Sequence, residues 1–359
     1  DSATVSITAN HSDSAGNAAT QASTTVVKDA AIPTVAITSS PVINNANKAA
    51  YTVSGTCSEN TRVVSVNVGG VTATPTCTAS AWTTTLNVTA VVDNSSISIT
   101  ADHVDAVGNN ANQATASVLK DTVIPTVAIT SSPVINNANK AAYTVAGTCS
   151  ENGRTVSVNV GGVAGTPTCS VGVWTSTLNV TGVTDSATVA ITANHSDLAG
   201  NAATQASTTV VKDTSNPTVA ITSSPVINNA NKAAYVVSGT CSENTRTVTV
   251  NVGSVTGTPS CSSNTWTTTL NVTAVVDNAA VAITADHSDV AGNAATQAST
   301  TVLKDTGVPT VAITSSPNIN SGNASAYPLS GTCSEDTRTV TVSVGGVTGT
   351  PTCSAGAWS

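Results

Sequence analysis

The stretch Pro33-Thr34-Val35-Ala36-Ile37-Thr38-Ser39-Ser40-Pro41 decides the fold, because it returns at Pro125, Pro217 and Pro309 in a constant step of 92 residues (125 − 33, 217 − 125 and 309 − 217). A period of this length exceeds the roughly 20–50 residues of a solenoid unit and approaches the ~100 residues of a self-contained β-sandwich. Each copy is therefore expected to be a domain. The boundaries fall at 1–31 (a partial domain holding C-terminal strands), 32–123, 124–215, 216–307 and 308–359 (a partial domain holding N-terminal strands). Asp1 aligns with Asp93, Asp185 and Asp277, and Ser359 with Thr83, Thr175 and Thr267. Both ends thus fall inside a repeat, as expected of a window on a longer array with any export signal or anchor outside it; partial ends that complete one another between chains are the other expectation.

Within residues 32–123 the alternation of apolar and polar residues marks the strands. Val35 and Ile37 mark the first, and Tyr51, Val53, Gly55 and Cys57 share a face of the second. Val64, Val66 and Val68 follow, ending at Gly69-Gly70, then a short strand from Val71 to Cys77. Trp82, Leu86 and Val88 mark the next; Ile97, Ile99, Ala101 and His103 the one after; Ala114, Ala116 and Val118 the last. About seven short strands separated by Gly, Asn, Asp and Pro turns predict an all-β Greek-key sandwich of immunoglobulin-like type. No helical periodicity is present.

Composition agrees. The 359 residues are 8% charged and 2% aromatic, with no Phe or Met, and β-branched residues suit a pleated surface. A formal charge of −8 argues against nucleic acid or an anionic membrane as partner. No run of about 18 apolar residues is present, so no membrane insertion is expected within this segment.

The eight cysteines form the pairs Cys57/Cys77, Cys149/Cys169, Cys241/Cys261 and Cys333/Cys353, one pair per copy. One pair per domain reads as an intradomain disulfide and hence an oxidising, extracellular or cell-surface location; closing such a loop contributes about 3 kcal/mol. A metal site is the rival reading and would need Cys-x-x-Cys spacing or nearby His, which the sequence lacks.

The string Gly147-Thr148-Cys149-Ser150-Glu151-Asn152, then Gly161-Gly162, Cys169, Trp174 and Asp197-Leu198-Ala199-Gly200-Asn201, ending in Lys212-Asp213-Thr214 before Pro217, resembles the bacterial Ig-like (Big-type) tandem repeats of large surface adhesins. The resemblance covers every copy. It departs from antibody domains, since Trp82 follows both cysteines instead of lying between them. The class is shared by adhesins, biofilm matrix proteins, extracellular filaments and phage fibres.

Carboxylates recur in phase: Asp29, Asp121, Asp213 and Asp305 in the linkers; Glu59, Glu151, Glu243 and Glu335 after the second strand; Asp105, Asp197 and Asp289 in the last hairpin, with Asp13 in the partial copy. In an immunoglobulin topology the linker and both loops lie at one end, so three acids can converge. Oxygen ligands of this kind suit Ca²⁺, with Asn60 or Asn109 filling the shell. The resemblance implies calcium that stiffens the array at these positions. The alternative is local: Asp105 caps its own turn, and Glu59 pairs with Arg62 on the surface.

His11, His103, His195 and His287 occur once per copy on the parity of inward residues. A His-Asp pair could serve acid/base work, but no Gly-x-Ser-x-Gly elbow accompanies it, and a hydrogen-bonded structural His is the expectation. Asn87-Val88-Thr89, Asn179-Val180-Thr181 and Asn271-Val272-Thr273 match the N-glycosylation pattern, which chance also supplies in a chain rich in Asn and Thr.

These readings predict no enzyme but a structural extracellular repeat protein, the stalk or shaft of a surface adhesin or biofilm protein, whose partners are neighbouring domains of the same chain. Short Pro-bearing linkers such as Asp121-Thr122-Val123-Ile124-Pro125 hold neighbours in line. The alternative is a self-assembling filament or sheath, favoured by Thr-, Ser- and Val-rich edges with few charges.

Overall fold

Alternation becomes strand because a pleated chain sends successive side chains to opposite faces. The computed structural model describes residues 2–359; Asp1 lies outside the described residues. The chain divides into two compact units, Asp1–Ile135 with Asn139–Lys212, and Asn136–Ala138 with Asp213–Ser359.

The first unit opens with an antiparallel pair, β1 (Ser2–Ala9) and β2 (Ala22–Lys28). Seven strands follow: β3 (Val35–Ser39), β4 (Tyr51–Cys57), β5 (Val64–Val68), β6 (Val71–Ala73), β7 (Ala81–Leu86), β8 (Asn94–His103) and β9 (Ala114–Lys120). They form a three-stranded sheet, β3-β4-β7, and a four-stranded sheet, β6-β5-β8-β9. The chain changes sheet between β4 and β5, between β6 and β7, and between β7 and β8, which is an immunoglobulin-like Greek-key sandwich. Both sheet orders recur within Val127–Lys212.

In the second unit the same two sheets recur within Val219–Lys304. A three-stranded sheet of Val311–Ser315, Ser330–Cys333 and Ala357–Trp358 follows, with a hairpin of Val342–Val344 and Val347–Gly349. The fold is therefore all-β, in tandem immunoglobulin-like sandwiches. No helix long and apolar enough to cross a membrane occurs among the described residues.

Each repeat holds its own core. The first gathers Ile43, Tyr51, Val53, Val64, Val66, Val68, Trp82 and Ile99 with both cysteines. Equivalent residues fill the next two, and the last copy holds a small cluster of Cys333, Cys353 and Trp358. Trp82 sits opposite Gly55 in register, and its Nε1 donates to the Thr56 carbonyl at 3.1 Å. A Cβ on Gly55 would lie 1.8 Å from the Ala36 carbonyl oxygen and 2.6 Å from the indole, so only glycine fits there. Tyr51 donates to the Pro41 carbonyl at 2.9 Å, and burial pushes its hydroxyl up to about 12.

Two features differ from expectation. The strand expected from Val71 to Cys77 stops at Ala73, because Pro75 has no N–H for a ladder; Thr76 resumes only as an isolated bridge to Val63. Cys77 therefore lies beyond the strand instead of at its end, and Cys169, Cys261 and Cys353 do the same in their copies. The segment after β3 adds a parallel bridge that the alternation does not reveal: Ile43 N donates to the Leu119 carbonyl at 2.9 Å, and Asp121 N to the Ile43 carbonyl at 3.0 Å.

All four cysteine pairs are closed as disulfides: Cys57 with Cys77, Cys149 with Cys169, Cys241 with Cys261, and Cys333 with Cys353. Each ties the end of one strand to the segment before the Trp-bearing strand, with a side chain buttressing it. Asn60 Oδ1 accepts from Ser80 N at 2.8 Å and lies 3.8 Å from Cys77 Sγ. Asn244 Oδ1 likewise accepts from Asn264 N at 2.8 Å and lies 3.7 Å from Cys261 Sγ. The second cysteine of each pair is buried, Cys261 among them, so these sulfurs are part of the core and not a reactive surface.

Candidate functional site

The loop joining the last two strands of a copy begins with an aspartate that organises its own backbone. Asp105 Oδ1 accepts N–H bonds from Val107, Gly108 and Asn109 at 2.9, 2.7 and 2.8 Å, and its Oδ2 accepts from Asn109 Nδ2 at 2.6 Å. Burial pushes this carboxyl up, but the four donors outweigh it and hold Asp105 below the ordinary carboxylate range. Gly108 takes φ +101°, the conformation glycine reaches without a Cβ penalty.

The asparagine that closes this loop reaches back to the preceding linker. Asn109 Nδ2 donates to the Asp29 carbonyl at 3.0 Å, and Asn201 Nδ2 to the Asp121 carbonyl at 2.9 Å. Around Asn201 the first unit adds two further bonds. Asn45 N donates to Asn201 Oδ1 at 2.7 Å, and Asn44 Nδ2 donates to the Ala199 carbonyl at 3.0 Å. Asp197, Ala199 and Asn201 are all buried there. Within the second unit Asn293 makes the same set: its Nδ2 donates to the Asp213 carbonyl, Asn137 N donates to its Oδ1 at 2.6 Å, and Asn136 Nδ2 donates to the Ala291 carbonyl. The Asn44 loop is preformed, since Asn44 Oδ1 accepts from Ala46 N and Asn47 N while Asn47 Nδ2 donates to the Val42 carbonyl.

The histidines complete the cluster. His103 Nε2 accepts from Glu59 N at 3.2 Å, so the ring proton sits on Nδ1, which donates to the Val63 carbonyl at 3.0 Å. His195 and His287 bond Glu151 and Glu243 in the same way. Both ring nitrogens are occupied by backbone, which is a structural role.

The three loops expected to converge therefore do so, but through amides and imidazole. Each linker carboxylate accepts an N–H two residues on: Asp29 from Ala31, Asp121 from Val123, Asp213 from Ser215 and Asp305 from Gly307. Glu59 and Glu151 accept from the Ser58 and Ser150 hydroxyls. The Glu59–Arg62 side-chain pair is replaced by other contacts, as Arg62 Nε donates to the Val104 carbonyl and its backbone N to the Glu59 carbonyl. A calcium shell needs several oxygens around one point. Among the described residues no three His, Cys, Asp or Glu side chains form a group able to hold a metal ion. Asn60 and Asn109, the other expected ligands, are engaged by the disulfide loop and the linker.

One part of the cluster looks in sequence like ordinary linker charge. Lys120 is buried, with Nζ 2.6 Å from Asp93 Oδ1, and Asp93 Oδ2 also accepts from Thr122 N at 2.8 Å. Lys212–Asp185 and Lys304–Asp277 repeat the pair. Burial pushes Asp93 up, but the Lys120 and Thr122 bonds hold it below the usual range; beside Lys304, Asp277 falls to about 2. The signal was the phase of these acids and lysines, 27 residues apart in each copy. Asn87, Asn179 and Asn271 are exposed, and each side-chain oxygen accepts the N–H of the Thr two residues on.

No protein-family model and no curated protein matches the sequence. Among solved structures the chain is similar to part of a 1.5-MDa bacterial ice-binding adhesin, at 21% identity over 77% of this chain and 98% of that one, with a TM-score of 0.35. It is also similar to a tetra-tandem repeat from the extending region of a large adhesion protein, at 20% identity over 91% and 89%, with a TM-score of 0.29. Fibronectin(III)-like modules of Clostridium thermocellum CbhA align at 15% identity over 50% and 94%, with a TM-score of 0.33.

Proposed function

We propose that the chain is a structural segment of an extracellular surface protein, serving as the stalk or shaft of an adhesin or biofilm component, with no catalytic role. One observation carries this reading. In antibody variable domains the loops at one end recognise ligands; here the corresponding loops bond the chain itself, through Asn201 to Asp121, Asn45 to Asn201 and Asn44 to Ala199. A loop cluster occupied by its own linker and neighbour is suited to joining copies. Four disulfides suit an oxidising compartment, where small cores gain most from cross-links. His103, with both nitrogens bonded to backbone, offers no free base.

A second reading, lateral assembly into a filament or sheath, is favoured by the outer face of β3-β4-β7. Thr38, Thr52, Thr56, Thr83 and Thr85 are exposed there, and Thr52 and Thr85 pair through their hydroxyls at 3.2 Å. Electron microscopy of the native material separates the two. Isolated beaded strands support the spacer, whereas a periodic lattice with these threonine faces buried replaces it with the filament.

A further inference from the structure

We propose that each complete copy is a tension-bearing element with an ordered response: a linker strap yields first, a sheared clamp second, and a covalently stored loop is kept in reserve. The bonds involved lie within single copies, so the response is the same whether the chain serves as stalk or filament.

Direction of the strands decides the second step. β3 and β9 run parallel: the start of β3 faces Cys57 at the end of β4, and the β8–β9 loop lies at that same pole, where Val64 faces His103. The chain leaves from the opposite pole, at Lys120, where Ile43 bridges it in parallel. Tension applied along the chain therefore draws β3 and Ile43 one way and β9 the other. The bonds from Ile43 N to the Leu119 carbonyl and from Asp121 N to the Ile43 carbonyl lie across that sliding direction and are loaded together. Ile135 and Ile227 make the corresponding bonds to the Val211 and Leu303 carbonyls. A shared load raises the barrier to forced unfolding, which is governed by the unfolding rate and not by equilibrium stability.

The strap precedes the clamp. Asp93 holds both buried Lys120 and, two residues further out, Thr122 through its N and Oγ1; Asp277 holds Lys304 and Thr306 alike. Force leaving through the linker reaches Thr122 before it reaches β9. The reserve lies at Cys57–Cys77, whose cysteines are buried in the folded copy and enclose β5 and β6; Cys149–Cys169 and Cys241–Cys261 hold the same reserve in the next two copies. Unfolding leaves that loop closed until the bond is reduced.

The test is single-molecule force spectroscopy of the full chain, held at its two ends, with and without a thiol reductant. Without reductant the three complete copies should unfold as three equivalent steps. With it, each step should be followed by a second of about 70 Å, from 20 residues at ~3.5 Å each, because the buried disulfide becomes reachable only after the first. Steps of about 70 Å before unfolding, or none after it, would contradict the stored loop. Ile43→Pro removes the clamp donor in one copy and should lower one of the three rupture forces about twofold, the two unaltered copies serving as controls. An altered copy that keeps its full step length and its rupture force overturns the clamp. Should that copy fail to fold, the unaltered protein held between its N-terminus and a handle on exposed Gln113 decides the matter. Both attachment points of the first complete copy then lie at one pole, β9 is no longer sheared, and an undiminished force is the overturning result.

Discussion

The loops Asp13-Ser14-Ala15-Gly16-Asn17 and Asp197-Leu198-Ala199-Gly200-Asn201 are built from the same internal bonds in different surroundings. In both, the aspartate Oδ1 accepts the asparagine N at 2.8 Å, and the asparagine Nδ2 donates to Oδ2, at 2.8 Å in one and 2.6 Å in the other. Bonds from the Asn17 side chain and backbone, joined by the Ala15 and Gly16 N–H groups, hold Asp13 below the ordinary carboxylate range. Yet Asp13 and Asn17 are exposed, whereas Asp197 and Asn201 are 3% and 4% exposed. In the loop at Asp105, Asn109 likewise reaches a linker carbonyl, that of Asp29. The comparison separates two causes. Loop shape is local, set by an Asx turn and a glycine, while burial and cross-bonding come from what is packed against it.

The largest break in this comparison comes from the strap that presents the linker carbonyl. Asp93→Ala leaves Lys120 buried without its partner and frees Thr122, and should cost about 3 kcal/mol. Denaturation of the full chain with amide exchange read out in β8 and β9 checks it; protection equal to wild type would show that the pair is dispensable. Acid performs the same break reversibly. The folded-state values of Asp93 and Asp277 are depressed, so their contribution is complete above the ordinary value of 3.8 and is lost as pH falls toward about 2. Melting temperature should thus be flat from pH 8 to about 5 and drop below about 4.

Next in size is the paired substitution that isolates docking from loop shape. Asn201→Ala should cost about 2 kcal/mol, because it removes both the turn bond and the bonds to Asp121 and Asn45; Asn17→Ala should cost about 0.5 kcal/mol. Equal costs, measured by urea unfolding, would mean that docking adds nothing. Asn44→Asp is sharper still. It keeps the acceptor that holds the Asn44 loop but replaces the donor to Ala199, so a loss of about 1 kcal/mol with faster exchange confined to residues 198–203 is expected. The smallest effect is expected from chelation: EDTA should leave the melting temperature unchanged, and a fall that calcium restores would return the carboxylates to a metal-binding role.

Much of this architecture is legible along the chain. The 92-residue step, the inward parity of Val64, Val66 and Val68, and the cysteine spacing lead to the sandwich and its staple, because period-two burial and short loop closure are one-dimensional properties. Where the second cysteine sits was less legible: Cys77 and Cys261 follow a proline that ends the ladder early, so they staple a loop and not a strand end. The convergence of linker and loops is legible through topology. The bonds that hold the convergence are not: the sequence does not show that Asn109 and Asn201 reach the linker carbonyls or that His103 receives the Glu59 N–H. Lys120 was equally opaque, since a lysine at a strand end is ordinarily solvated and only its depth beside Asp93 shows it to be part of the interior.

By itself the sequence determined the repeat, the strand faces, the cysteine partners and the local turns, all of which depend on residues near in sequence or on alternation. Tertiary structure alone decided that Asn44 meets Ala199, 155 residues away, that Asp93 spans a buried lysine and a linker, and that Ile43 runs parallel to β9. Those contacts join groups that are not neighbours in the chain, and a polar side chain takes its role from which donors and acceptors the packed fold leaves beside it.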